Sequence, residues 1–383
     1  MTPKEMTAIR DKRMLAVLNM EKPDRIPIML SGQMYFKFID PTMTISDWWE
    51  RQELVEENLI KAAQLPILDE MDSVPAVTGV PMDFMQQNFA AMWFSKMKVP
   101  GRDIAKDALW QIDEHGPMTE SDYDTIINKG WGVLKQELLN RIGFDPEKLP
   151  QPDPEYMGKV NEKVAALGKT SVGMAGGLLP MPPFETLSGA RKLPKFFRDL
   201  YRMPDKVRAA LDIIEQEEVE NTVKAIKASP GVYGFIGGTR SGCDFISPKV
   251  FEKFYFTYYQ KVVPAMQANN VKTWFHMDGN WEGFLPYFRE FPKAQCVWDP
   301  DHITSNIKMK EILGDKMCIT GNVPPALTSV GTPEECYKYA KEIIDIFGDT
   351  GFIMNSGCSV PPNAKRENIE AVILATLGQP LNK

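Results

Sequence analysis

The feature that most constrains this chain is an alternation that begins near residue 165. Short apolar runs, TSVGMAG (170–176), VYGFIGG (232–238), VKTWFHM (271–277), AQCVWDP (294–300), MCITGNV (317–323) and GFIMNSG (351–357), are separated by segments with helical spacing. In FEKFYFTYYQKVVPAM, for example, Phe251, Phe254, Tyr255, Tyr258 and Val262 recur on one face of a helix. Strands apolar on both faces with helices between them predict parallel βαβ units. Upstream, DRIPIML (24–30) is a further strand candidate and LDEMDSVPAV (68–77) a less regular one. Eight such units make an α/β fold of the TIM (β/α)8 type. The reading is therefore a single barrel domain over 1–383, with an N-terminal helical extension over 1–23 and a long irregular insertion or lid over about 78–165.

Composition narrows the function classes. The 383 residues are 43% hydrophobic, enough for a large core, and the net charge of -7 offers no basic face to nucleic acid or to an anionic membrane. The first residues, MTPKEMTAIRDKRML, are charged where a signal peptide would be apolar, and no run approaches the ~18 apolar residues of a membrane span. A cytoplasmic protein without nucleic-acid or membrane partners is expected. Five widely spaced cysteines (Cys243, Cys296, Cys318, Cys336, Cys358) read as thiols or ligands rather than a disulfide frame.

In a barrel, chemistry belongs at the carboxyl ends of the strands. Standing there are His276 and Asp278, then Asp299, Asp301 and His302, then Asn322, Ser356 and Cys358. Imidazole, carboxylate and thiolate are the side chains that bind zinc, and three protein ligands with an open fourth position describe a catalytic site. His276, Asp278 and Cys358 are thus the candidate metal ligands, set against the plainer readings of a satisfied polar histidine and a loop thiol. Cys296 and Cys318 begin their strands and read as small buried hydrophobes. The paired Gly176 and Gly177 would allow a ligand to approach the backbone.

Three stretches carry a resemblance. ISPKVFEKFYFTYYQKVVPAM has Ser-Pro opening a helix, CITGNVPPALTSVGTPEECYKYAKEIID has Gly-Asn after a strand and a Gly-Thr-Pro-Glu-Glu cap, and GFIMNSGCSVPPNAKRENIEAVI has Gly-Cys-x-x-Pro before a closing helix. Together they resemble the uroporphyrinogen decarboxylase superfamily, and within it the zinc-dependent corrinoid methyltransferases, over roughly 165–380. The resemblance implies a barrel, a zinc ion, and a corrinoid (cobalamin) carried on a separate corrinoid protein. Those methyltransferases carry His-x-Cys where this chain has His276 and Asp278, and a later Cys matching Cys358. With Asp278 in place of the first Cys, zinc would be a harder Lewis acid suited to oxygen. The spacing of the O-demethylase relatives offers an alternative set, Glu290, Cys318 and Cys358. Decarboxylases of the superfamily hold their substrate with Arg-x-x-x-Arg near the first strand, where this chain has IMLSGQMYFKF without an arginine.

The expected activity is therefore transfer of a methyl group from a small aromatic donor, an aryl methyl ether, to corrinoid cobalt. The alternatives are methyl-corrinoid to thiol transfer, decarboxylase-like chemistry, and a non-catalytic corrinoid-binding accessory. Expected catalytic residues are Asp299 and His302, as a pair orienting a ligand or donating a proton, and Arg240, which either holds a substrate carboxylate or corrinoid phosphate or pairs with Asp244. Gly176, Gly177 and Asn322 are expected to contact the cofactor. Met82, Phe84, Met85, Trp93 and Met97 are either adaptable core or the wall of an aromatic pocket.

Overall fold

The computed structural model describes residues 1–73, 77–177 and 179–381. Its strands are β1 (Ser95–Lys98) and β2 (Gln111–Glu114), an antiparallel hairpin, then β3 (Tyr233–Gly238), β4 (Lys272–Met277), β5 (Cys296–Pro300), β6 (Cys318–Val323) and β7 (Phe352–Ser356). β3 to β7 lie in sequence order in one sheet, and the β5–β6 and β6–β7 pairs are parallel.

Shorter extended pieces continue the ring. Ile28 bridges Met354 in parallel, Asp72 N donates to Ile28 O at 2.8 Å, and Thr170 N donates to Asp72 O at 2.8 Å. Met174 bridges Tyr233, and Lys272 N donates to Val232 O at 2.9 Å. The fold is the expected TIM barrel. The strands of the five-stranded sheet are largely apolar, as burial on both faces requires, and β5, β6 and β7 are buried at every residue.

The chain divides into two compact units, one of residues 1–80, 152–173 and 274–383, the other of 81–151 and 174–273. In the first, helix Pro3–Leu18 opens on a capping box between Thr2 and Glu5, and helix Pro333–Phe347 on the same device between Thr332 and Glu335. In the second, the aromatic run Phe251 to Val262 is buried as its spacing predicts, but as two helices, Pro248–Phe254 and Phe256–Gln267, that break at Tyr255.

Two details differ from the sequence reading. The stretch 78–165 is more regular than expected: it holds helices Met82–Ala91, Asp122–Lys129, Trp131–Arg141 and Pro154–Ala165 besides the hairpin. Its Met, Pro and Trp residues hide the periodicity, because Pro opens helices here and Met82, Trp93, Met97, Met118 and Trp131 are core. Of the candidate strand 68–77, residues Leu68–Glu70 form a 3-10 turn, Asp72 makes the strand-like bonds, and 74–76 lie outside the described residues. Among the described residues no helix is long and apolar enough to cross a membrane.

Candidate metal centre

β4 alternates. Phe275 packs against Phe288 and Trp298, with ring centroids 5.2 and 6.4 Å away, so by the two-residue period Trp274 and His276 share the other face. There they meet Asp299 of β5. Trp274 Nε1 donates to Asp299 Oδ2 at 3.0 Å, and His276 Nδ1 lies 2.7 Å from the same oxygen. The β5–β6 register, Val297 with Cys318 and Trp298 with Ile319, places Thr320 beside Asp299, and the Thr320 hydroxyl donates to Oδ1. Asp299 and Thr320 are both buried. A carboxylate in this position needs such donors, because an unpaired buried charge is costly.

With Nδ1 taken by Asp299, His276 presents Nε2. Asp278 Oδ1 lies 3.4 Å from it, and the ligand atoms of His276, Asp278 and Cys358 all fall within 4.8 Å of one another. Donors bound to one zinc at about 2.0 to 2.3 Å require a cluster of this size. Burial by itself would push the imidazole pKa down, but the charge of Asp299 and the hydrogen bonds the ring donates to Asp278, Asp299 and Cys358 hold it well above its ordinary value. The surroundings thus favour a positive charge at this point. The nitrogen, oxygen and sulfur donors, and a carboxylate fixing the far nitrogen of the histidine, fit a metal ion.

The other sequence candidates disperse. The expected pairing of Asp299 with His302 is not formed: Asp299 orients His276, and His302 Nδ1 is held by Asp301 Oδ1. Asn322 is buried and ties the barrel together, donating from Nδ2 to Asp301 O at 3.4 Å and accepting from the Tyr339 hydroxyl at 3.0 Å. Cys318 is fully buried at the first residue of β6, and Glu290 is exposed beyond helix Leu285–Phe288; the cluster at the strand ends includes neither. Trp274 and Thr320 belong to no motif, although strand alternation marks Trp274 as sharing a face with His276.

A second polar cluster lies in the other unit. Glu185, fully buried in helix Pro183–Arg191, accepts from Thr239 N and Arg240 N, each at 3.0 Å, and from Ser241 Oγ at 2.6 Å. Burial raises its pKa, and the hydrogen bonds from Ser241, Arg240 and Thr239 oppose that rise. Arg240 pairs with Glu114 of β2, not with Asp244. Gly176 has φ +74 and would carry a Cβ 2.6 Å from Leu179 Cδ2 and 3.2 Å from Ile226 N, so close packing explains it, whereas Gly177, φ +61, faces open space.

The sequence profile of the uroporphyrinogen decarboxylase (URO-D) family matches residues 143–376. A uroporphyrinogen decarboxylase from Vesicomyosocius okutanii is 23% identical over 209 residues, 53% of this chain and 57% of that protein. A second, from the Wolbachia of Brugia malayi, is 26% identical over 253 residues, 62% of this chain and 65% of that one. The matched part thus spans less than two thirds of either relative. Among solved structures, a methyltransferase from Methanosarcina mazei superposes with a TM-score of 0.63 at 19% identity, covering 96% of this chain and 98% of that one.

Proposed function

The chain belongs to the uroporphyrinogen decarboxylase family, and we propose that it is a methyltransferase moving a methyl group from an aryl methyl ether to the cobalt of a corrinoid protein. The observation that carries this reading is the convergence of His276, Asp278 and Cys358 at the ends of β4 and β7, with ligand atoms within 4.8 Å. Zinc held by these three residues would supply a Lewis acid for the ether oxygen. The likeness in fold to a methyltransferase supports the same reading.

The protein's own residues have definable tasks. Asp299 keeps a proton on His276 Nδ1, so that Nε2 is the nitrogen whose proton a metal ion would displace. Trp274 and Thr320 keep Asp299 from turning. Asp278, where a thiolate would give a softer donor set, favours chemistry at oxygen over activation of a thiol. Methyl transfer breaks the carbon–oxygen bond and leaves its electron pair on oxygen, and a phenolate, conjugate acid pKa about 10, leaves more readily than an alkoxide.

The decarboxylation named in the curated relatives needs cationic partners for several substrate carboxylates. The arginines nearest the extended piece at Ile28, Arg13 and Arg25, are instead committed to Asp72. Near-stoichiometric zinc in the purified protein, lost in Cys358→Ser, together with methyl-cobalt formation from an aryl methyl ether and reduced corrinoid protein, is the expected outcome. Zinc retained in Cys358→Ser, or methylation of thiols alone, would overturn the reading.

A further inference from the structure

The loop after β5 holds a second histidine whose placement goes beyond metal binding. Asp301 N donates to Met277 O at 2.9 Å, and Asp301 Oδ2 accepts from Gly279 N at 3.3 Å. Asp301 is therefore fastened to the turn that carries Asp278. On the other side, a Cβ built on Gly357 would stand 3.1 Å from His302 N, so the turn that carries Cys358 packs directly on the backbone of His302. From below, Asn322 Nδ2 reaches Asp301 O at 3.4 Å. The dipeptide Asp301–His302 is seated between the two turns that bring the candidate ligands together.

Its internal bonding fixes the ring. Asp301 Oδ1 accepts from His302 N at 2.6 Å and also holds His302 Nδ1. Nε2 is left as the atom that can exchange a proton, and the side chain is 41% exposed. A carboxylate on one ring nitrogen and an open second nitrogen is the arrangement of a proton-transfer histidine.

We propose that His302, oriented by Asp301, is the general acid that protonates the departing ether oxygen; this rests on the methyl transfer proposed above. As the methyl carbon bonds to the nucleophilic cobalt of the reduced corrinoid protein, the carbon–oxygen bond breaks and its electron pair goes to oxygen. The proton on His302 Nε2 passes to that oxygen, giving the phenol and a neutral imidazole that takes a proton back from water. A phenolate, conjugate acid pKa about 10, is basic enough to accept that proton.

A series of ring-substituted anisoles, from nitro to methyl substituents, tests this with reduced corrinoid protein as acceptor. His302→Gln is expected to slow the methyl-substituted substrates about 100- to 10000-fold and the nitro-substituted ones less than about 10-fold, because a good leaving group needs no acid. Its zinc content should equal the parent's, and added imidazole should restore part of the rate. Asp301→Asn should show the same leaving-group dependence with a smaller loss. A loss equal across the series, or no loss, in a folded zinc-containing His302→Gln overturns the proton transfer while leaving methyl transfer standing. A parent that demethylates no anisole overturns both.

Discussion

Asp299 and Glu185 are both buried carboxylates near the end of a strand, and their partners tell them apart. Glu185 is turned in on one loop, receiving two backbone N–H groups and two hydroxyls from Thr239, Arg240 and Ser241. None of these four donor groups is a ring with a second nitrogen to present. Asp299 receives an indole, a hydroxyl and an imidazole, and the imidazole has a second nitrogen 3.4 Å from Asp278. The first arrangement fixes a backbone path; the second fixes a donor atom for something outside itself. Burial of a carboxylate alone therefore does not mark a functional site. What marks it is whether its partner still has an atom to offer.

That contrast is open to direct test, and the largest effect should come within the ligand set that His276, oriented by Asp299, belongs to. Asp278→Cys should retain zinc but lower the rate of ether cleavage on the order of 10- to 1000-fold, since a second thiolate makes the metal a weaker acid for oxygen. Each factor of ten corresponds to about 1.4 kcal/mol of transition-state stabilisation. A variant as fast as the parent would remove Asp278 from the argument. Next, Asp299→Asn keeps the shape but loses the charge behind His276, and zinc affinity measured by chelator competition should fall about 10- to 100-fold. Unchanged affinity would make Asp299 another Glu185.

Much of this was legible in the sequence, for reasons that differ by residue. Strand runs such as MCITGNV announce themselves because burial on both faces demands continuous apolar character, and the barrel follows from their count. His276, Asp278 and Cys358 were legible because strand ends in a barrel share one face. The partners were not. Asp299 pairs with His276 rather than with His302 because neighbouring strands, not neighbouring residues, decide contact: β4 and β5 lie side by side, and Asp299 points inward with His276 while Asp301, two residues on and already past β5, bonds to His302 and to the turn after β4. The register that places Thr320 against Asp299 is a property of the sheet and leaves no local signal. Glu185 was invisible, since its role depends on a loop more than fifty positions away.

Glu185 supplies the third test, with an effect on stability rather than rate. Its folded pKa is raised above the ordinary carboxyl value, chiefly by burial. The folded state then holds a proton that the unfolded chain releases above pH of about 4.5, the ordinary value. Stability from this group is full below that pH and is lost as pH rises through the folded-state pKa, with a slope of at most about 1.4 kcal/mol per pH unit. Denaturant melts of the parent and of Glu185→Gln across this range should differ by that slope, with zinc affinity the same in both. A Glu185→Gln variant that binds zinc poorly would erase the distinction between the two carboxylates.

The smallest expected effect is also the finest probe of the comparison. Thr320→Val replaces a hydroxyl by a methyl of nearly the same volume, so packing in β6 is kept and only the donor to Asp299 Oδ1 is lost. An acceptor left unsatisfied in a buried place costs about 1 to 3 kcal/mol of stability. The metal should notice less. Asp299 Oδ2 still receives Trp274 and still faces His276 Nδ1, so the tautomer that exposes Nε2 persists, and zinc affinity should drop less than the 10-fold floor expected for Asp299→Asn. Stability lost with zinc binding nearly intact would show that Thr320 balances the charge of Asp299 while Asp299 orients the histidine. If Thr320→Val instead loses as much zinc as Asp299→Asn, the hydroxyl sets the carboxylate's angle, and the orienting unit at this site is a chain of three side chains across β4, β5 and β6 rather than a single carboxylate.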